Sequence, residues 1–492
     1  MQPWGAWRPD SPGPNGAFAA TADSVLPITM GDGRGYQAIA YGPFPQLVTP
    51  SGATALSGAP RGNISLTLDD GTYAVFFATG STIEQLTSSY TFSTIDTGRN
   101  VTSGDDVSFA HFGSYLLNTD TTDGFKAYNV QTPAGNNTVS GAPTARFIFS
   151  CNNVVFALDC NGNNRRMQSS GVGDYTAWTS LGANGKTFED GGALQAGVDL
   201  KNGYALILQK SALRLIQFGN AASPALYSIA KASDGRGSVG AKSVIAFDGK
   251  CYFLDTDGFW SYDVSNGPVN IGAEKVNRWF LAQVDNSKLN TVQAAIDPKN
   301  KIVCWAYYSI TNPSLTVRDK MICYDWNLQE WFTITANTSA LTSIATPGYV
   351  LDAMDTFGTL DQMIQIPLDD RFWQGGQPVF AALDSNYKYG TFSGTPMAYT
   401  LQSQTRNSGT NQFEIDITPI SDNANSQISL GVSYKLSDAL TWKTAAGRNR
   451  AGRVKLRGNG LNLAFKETGS AGDTWTYSNG IDYPMGNSGG QW

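Results

Sequence analysis

The side chains of this 492-residue chain that could support acid–base or nucleophilic chemistry are few. The only histidine is His111, in FAHFGSYL. A Ser-His-Asp or Cys-His nucleophile system would have to be built around this one side chain. No serine lies in a GxSxG sequence that could partner it. A lone histidine on a strand is more often structural than catalytic, so we expect a structural role for His111.

Two other sequence patterns resemble ligand sites. GRGSVG, at residues 235–240, matches GxGxxG, but the strand-like AKSVIAF follows it where a dinucleotide site needs a helix. NTDTTDG, at 118–124, and DTDG, at 255–258, resemble parts of calcium loops but lack the closing glutamate. Turn chemistry explains both acidic segments. We therefore predict no cofactor and no metal.

A pair of carboxylates is sufficient for glycoside hydrolysis. The densest acidic cluster in the chain is Asp352, Asp355, Asp361, Asp369 and Asp370. The S-x-D-x-G-x-x-W turns that repeat in sialidase-type enzymes have only one near match here, GVGDYTAW at 171–178. We therefore expect neither glycosidase nor nuclease activity, and no enzymatic activity in general.

The five cysteines lie in strand-like apolar runs such as KCYFL and are too scattered for the ligand spacing of a zinc site. We expect buried, reduced thiols. They are Cys151, Cys160, Cys251, Cys304 and Cys323.

The composition favours strands and turns. Charged residues make up 15% of the chain and aromatic residues 12%, and Gly, Ser, Thr and Asn are abundant. The net charge of −6 argues against a protein that grips nucleic-acid phosphates tightly. The start, MQPWGAW, has no basic region followed by an apolar stretch, so we expect synthesis in a cytosol.

Pairs of apolar runs around a short polar turn recur along residues 56–384. Successive turns are about 42, 39, 49, 46, 43 and 29 residues apart, mostly the spacing of four-stranded propeller blades. We predict an all-β fold with a β-propeller of about six blades, the last two hairpins sharing one blade; stacked β-sandwiches are the alternative. The turns lie near Gly80, Thr122, Asn161, Lys210, Thr256, Lys299 and Leu328.

Residues 385–492 alternate at period two, which predicts a second, β-sandwich-like platform domain. FWQGGQ and GTFSGTP, before and after residue 380, have the composition of linkers. One helix is predicted in GAEKVNRWFLAQV, where Val276, Phe280 and Val284 are four residues apart. The stretch KTAAGRNRAGRVKLR, at 443–457, is either a solvated strand pair or a docking surface for an acidic partner or DNA; its candidate contacts are Arg448, Arg450, Arg453 and Arg457.

Residues 1–55 form a proline-rich arm without helical periodicity. Such an arm cannot make its own core, so its aromatic side chains must pack either on its own chain or on another subunit. The candidate anchors for contact with a neighbouring subunit or partner are Trp4, Trp7, Tyr36, Tyr41 and Phe44.

Several phrases in order give a family resemblance. WRPD, SVLP and GYQAIAYGPFPQL near the start are followed by TAWT at 176–179 and by GSVGAKSVIAFDGKCYFLDTDGFWSYD at 237–263. The chain ends with GRVKLR and DTWTYSNGIDYPMGNSGGQW. Together they resemble the tail hub or nozzle proteins of short-tailed bacteriophages.

The resemblance implies a structural virion protein, made in the bacterial host cytoplasm. It implies a homo-hexameric ring below the portal and adaptor, with propellers outside and a β-rich platform around the channel through which double-stranded DNA passes. Such a ring retains packaged DNA, holds tail fibres or tailspikes and meets the host membrane or outer surface. The alternatives are a propeller glycan hydrolase or glycan-binding module of a phage particle, and a cellular propeller scaffold.

Overall fold

The computed structural model describes residues 2–11, 18–31, 37–68, 73–219, 226–312, 317–345, 378–407 and 412–482. The N-terminal arm is made of extended strands, as its prolines and lack of helical periodicity predict. They are β1 (Gln2–Pro3), β2 (Ala19–Asp23), β3 (Val25–Gly31), β4 (Gln37–Pro43) and β5 (Pro45–Val48).

The first three blades of a propeller follow the arm. Each is an antiparallel four-stranded sheet in which the strands pair in chain order. Their strands are β6 (Gly62–Thr67), β7 (Tyr73–Ala78), β8 (Thr82–Leu86) and β9 (Phe92–Thr97); β10 (Ser108–Phe112), β11 (Tyr115–Thr119), β12 (Lys126–Asn129) and β13 (Asn137–Thr138); and β14 (Ala145–Cys151), β15 (Val154–Cys160), β16 (Asn163–Ser169) and β17 (Gly185–Thr187).

Blades 4 to 6 have the same arrangement. Short 3-10 helices (Ala241–Ser243 and Asn286–Thr291) and the helix α1 (Asn277–Gln283) lie in their connections. The strands are β18 (Leu194–Asp199), β19 (Tyr204–Gln209), β20 (Ala212–Phe218) and β21 (Tyr227–Asp234); β22 (Ile245–Phe247), β23 (Lys250–Asp255), β24 (Gly258–Asp263) and β25 (Gly267–Asn270); and β26 (Gln293–Asp297), β27 (Ile302–Tyr307), β28 (Arg318–Asp325) and β29 (Glu330–Thr338).

A seventh blade closes the ring and joins the two ends of the propeller. It contains β30 (Ala340–Ala345), β31 (Pro378–Leu383) and β32 (Tyr389–Pro396), and its fourth strand is β5 from the arm. The first strand of each blade contacts the first strand of the next, and β30 contacts β6. The predicted β-propeller is confirmed, with seven blades where about six were expected, because one strand of the last blade comes from the distant arm.

All seven predicted hairpin turns are present, and the last two lie in one blade, blade 6. The turn between β15 and β16 has positive φ at Asn161 (54°) and Gly162 (75°), which is the backbone that a tight hairpin needs. The period of about 40 residues therefore reflected real blades.

The aromatic content of the strands follows from blade stacking. Successive side chains on a strand point to opposite faces, and each blade is covered on both. Phe76 of β7 packs toward blade 2, against Tyr128, with ring centroids 6.2 Å apart. Its neighbour Phe77 packs toward blade 7, in a cluster with Leu383. Both phenylalanines are 0% exposed.

The predicted helix is also confirmed. Val276, Phe280 and Val284 are all buried. The ring of Phe280 lies 4.7 Å from that of Phe259 in blade 5 and 5.1 Å from that of Tyr307 in blade 6. The helix therefore fills the space between these two blades.

The platform has two sheets that share one apolar core with the arm. One has the order β3-β4-β41-β35-β39, with β1 on β41; the other has the order β2-β33-β40-β36-β37, with β34 and β38 at its sides. Its C-terminal strands are β33 (Tyr399–Ser403), β34 (Arg406–Asn407), β35 (Gln412–Ser421), β36 (Gln427–Ser433), β37 (Thr441–Trp442), β38 (Ala446–Gly447), β39 (Val454–Asn459), β40 (Asn462–Gly469) and β41 (Ser478–Asp482).

The boundary between propeller and platform differs from the one predicted. GTFSGTP, interpreted as a linker, is part of β32 and pairs with β5, so the propeller continues to Pro396. Its small residues suit the close approach of β5, since a Cβ on Gly394 would lie 2.5 Å from the Val48 side chain. The segment FWQGGQ lies outside the described residues.

One continuous sheet connects the propeller to the platform. The outermost strand of blade 6, β29, pairs with β2 of the arm, where Asp23 faces Thr333. On its other side β2 pairs with β33 of the platform. Strand β2 of the arm therefore joins the two domains.

Candidate assembly surface

The aromatic side chains predicted as anchors of the arm are buried within this chain. Their exposed fractions are 1% for Trp4, 2% for Trp7, 0% for Tyr41 and 1% for Phe44. Tyr36 lies outside the described residues. Of the two alternatives left open by the sequence, the fold has the arm on its own chain, and these four rings are enclosed rather than offered to a neighbouring subunit.

Polar contacts fix the arm on blade 6 and on α1. The Asp10 carboxylate caps α1 by accepting the backbone N–H groups of Arg278 at 2.7 Å and Trp279 at 2.8 Å. The Arg8 guanidinium pairs with the Glu330 carboxylate at 3.2 Å. Burial raises the pKa of Glu330, and the charge of Arg8 partly offsets this. The arm is therefore held by specific contacts in addition to apolar burial.

A buried hydrogen-bond chain connects the arm to the platform core. Trp4 Nε1 donates to Ser478 Oγ at 2.8 Å, and Ser478 Oγ donates to Glu467 Oε2 at 2.6 Å. The Tyr399 hydroxyl donates to Glu467 Oε1 at 3.2 Å and accepts from Asn423 Nδ2 at 3.2 Å. Glu467 is 0% exposed. Its burial raises its pKa, and the hydrogen bond from Ser478 opposes that shift.

The predicted basic stretch includes two kinds of arginine. Arg448 is half-buried and donates to the Ser421 carbonyl at 2.9 Å, so it is a structural side chain. Arg450, Arg453 and Arg457 are exposed. On β39 the side chains alternate between buried and exposed, as a solvated edge strand requires. Arg453 pairs with the Asp416 carboxylate at 3.2 Å.

An exposed apolar tip lies next to this basic stretch in the sequence. It is the connection between β36 and β37, residues 434–440, where Tyr434 is 59% exposed and Leu436 is 73% exposed. Leu436 is the most exposed of the large hydrophobic side chains in the described part of the chain. Neighbouring exposed apolar side chains are a feature of contact surfaces. The sequence did not single them out, because their spacing resembles that of a buried strand.

The chemically suggestive residues have structural surroundings. His111 lies on the first strand of blade 2, and its backbone carbonyl accepts the Ser150 hydroxyl at 2.6 Å. In GRGSVG, a Cβ on Gly237 would lie 2.2 Å from the Gln209 carbonyl oxygen, and one on Gly240 would lie 2.4 Å from that of Asn290. These glycines permit close backbone contacts between blades.

The acidic turns also satisfy their own backbone. The Asp120 carboxylate accepts the N–H groups of Thr122 and Asp123 at 2.8 and 2.6 Å and pairs with the buried Arg99. In the second turn, Asp255 Oδ1 accepts the N–H of Thr256 at 2.7 Å. No group of three His, Cys, Asp or Glu side chains among the described residues is arranged to hold a metal ion. The acidic cluster at 352–370 lies outside the described residues.

Comparisons with known proteins assign no family to this chain. No family model matches the chain, and no curated protein matches it significantly. Among solved structures, the β-propeller domain of Cps50 (Swd1) from Myceliophteria thermophila is similar over 60% of this chain and 92% of its own length, at 9% identity and a TM-score of 0.38. U3-55K is similar over 61% of this chain and 89% of its own length, at 10% identity and a TM-score of 0.36.

The helices of the described residues are short. The α-helix α1 has seven residues. No helix in this part of the chain reaches the length and apolar content needed to cross a bilayer.

Proposed function

We propose that this chain is a structural virion protein of a short-tailed bacteriophage, and that six copies form its tail hub, or nozzle. The proposal rests on the ordered phrases that resemble that family. The observation that carries it is the single sheet that runs from blade 6 through β2 into the platform. This sheet joins a propeller to a β-rich platform, which are the two parts that the resemblance implies.

The continuous sheet suits a protein that transmits force. A load applied to the propeller by a fibre or tailspike passes to the platform through backbone hydrogen bonds and the shared core. A flexible linker between the domains would let the propeller swing instead.

The charge balance suits a DNA channel. The net charge of −6 is distributed over a chain with only 15% charged residues. A basic lining would retain DNA by releasing its counterions, whereas a neutral or acidic lining lets it slide. The exposed Arg450 then contacts the adaptor or the neighbouring subunit rather than holds DNA.

The ring needs a heterologous interface, in which one patch of a subunit meets a different patch of its neighbour. The four described anchors of the arm, Trp4, Trp7, Tyr41 and Phe44, are buried and do not supply this patch. The apolar tip at 434–440 does, because Tyr434 and Leu436 can be covered without rearranging the core.

Electron cryomicroscopy of the virion that contains this protein tests the proposal. We expect a ring of six copies below the adaptor, with the platform around the channel and the propellers outside. Quantitative mass spectrometry of the same particles should give six copies per virion. A single copy per particle, or no copy, would rule out the hub.

A further inference from the structure

A groove between blades 2 and 3 differs in chemistry from two other cavities of the described residues. It has a volume of about 620 Å³ and is lined by β11 to β13 and by the connection between β16 and β17. The cavity at the mouth of the propeller includes Asp106, Arg146 and Lys242, and the one beside the platform includes Asp23. The side chains that line the groove carry no charge.

Two tyrosines form one wall of the groove. The rings of Tyr115 and Tyr175 lie 4.7 Å apart at an angle of 46°, and Phe112 supports Tyr175 from behind at 5.8 Å. The rings are thus held in place before any ligand arrives. Burial raises the pKa of Tyr175 to about 12, and its hydrogen bond with Tyr115 acts in the same direction, so Tyr175 remains neutral at physiological pH.

Two asparagines provide a fixed donor and a fixed acceptor. Asn129 Oδ1 accepts the backbone N–H groups of Gln131 and Thr132 at 3.0 and 2.9 Å, which leaves its amide nitrogen as a donor. Asn137 Nδ2 donates to the Gly135 carbonyl at 3.2 Å, which leaves its Oδ1 as an acceptor. A hydroxyl group both donates and accepts, so it matches this pair.

We propose that this groove binds a neutral oligosaccharide. A sugar ring has an apolar C–H face that packs on an aromatic ring and a rim of hydroxyls that pair with amide groups. Phosphates and sulfates would need lysine or arginine, and cations would need carboxylates. The volume lies in the range of small-ligand pockets, about 300–1,000 Å³. The inference does not depend on the protein being a tail hub.

The test uses the full chain on an array of neutral and acidic bacterial glycans. We expect the chain to bind at least one neutral glycan. We expect it to bind no glycan through that glycan's acidic groups. Thr138 is exposed in the groove, so T138K should fill it without unfolding the chain. T138K and Y175A should each weaken binding about tenfold or more, as loss of one stacking or hydrogen-bond contact does.

Two controls separate groove effects from general ones. T138K should keep the thermal unfolding midpoint of the wild type, and L181S, an exposed position outside the groove lining, should keep wild-type binding. Binding that tolerates T138K would overturn the proposal. So would the absence of binding to every neutral glycan, or binding only to charged glycans.

Discussion

Glu467 shows how a single buried carboxyl couples the stability of this protein to pH. Its oxygens accept hydrogen bonds from Ser478 and Tyr399 in a site that water does not reach. Burial raises its pKa in the folded state above the ordinary value of 4.5. The folded chain therefore binds this proton more tightly than the unfolded chain. The resulting stability is complete below about pH 4.5 and is lost as the pH rises through the folded pKa.

The E467Q variant tests this coupling, because glutamine imitates the protonated carboxyl. We expect E467Q to unfold at a higher temperature than the wild type at pH 8 and at nearly the same temperature at pH 4. D422N is the control of opposite sign: although burial opposes it, hydrogen bonds from Thr476 lower the pKa of Asp422, so this change should cost more at pH 7 than at pH 3. Wild-type and E467Q midpoints that differ equally at pH 4 and pH 8 would contradict the assignment.

The five cysteines should be inert in the folded protein. All are buried, and burial raises the pKa of Cys160 to about 12, which disfavours the reactive thiolate. We expect no rapid reaction with Ellman's reagent in buffer and five reacting thiols in denaturant. V269C, at a position that is 45% exposed, is the positive control and should add one rapidly reacting thiol. A rapidly reacting native cysteine would show that one of the blades opens.

At the level of elements, the arm matters most through β5. Phe44 immediately precedes this strand and is 1% exposed, with its ring 5.5 Å from that of Phe392 in β32. F44A should cost about 3–5 kcal/mol, the usual cost of a large cavity. V48A, in the same segment but 44% exposed, should cost under about 0.5 kcal/mol. Urea unfolding measures the loss of unfolding free energy in each variant. Equal losses would mean that the segment around β5 does not hold the propeller closed.

The apolar tip is the element that the ring proposal depends on. Covering Tyr434 and Leu436 would contribute about 1.5–3 kcal/mol each. The double change Y434S and L436S should therefore reduce ring or tail assembly while leaving the unfolding midpoint unchanged. L181S is the matched control on the propeller, since Leu181 is 60% exposed. Full assembly of the double variant would place the interface elsewhere.

The elements that the sequence predicted well depend on local signals. The hairpin of β15 and β16 has an Asn-Gly turn between apolar runs, and α1 has a stripe of side chains four residues apart. The pairing of β5 with β32 has no such signal, because it joins positions roughly 340 residues apart. The same applies to the contact of Glu467 with Tyr399, 68 residues away, and to the Tyr115–Tyr175 wall, which joins two blades.

For the whole molecule, the sequence predicted a β-propeller but not that a strand of the N-terminal arm completes its last blade. The period of about 40 residues indicated a propeller because each of blades 1 to 6 is formed by one continuous segment of the chain. The arm aromatics were predicted as contacts with a neighbouring subunit or partner, whereas in the fold Trp7 meets Trp279 and Trp4 meets Ser478 of the same chain. The domain boundaries shifted because β5 and β32 both belong to blade 7.

The split seventh blade sets the order of folding during synthesis. Residues 45–48 leave the ribosome early, but their partner strand at 389–396 follows roughly 340 residues later. At about 5–20 residues per second this interval is on the order of tens of seconds. During that time blades 1 to 6 can form from neighbouring segments, while Trp4 and Phe44 wait for Ser478 and Phe392, which are synthesised later. Ring closure is therefore a late, long-range step, and the nascent arm is a natural place for a chaperone to act.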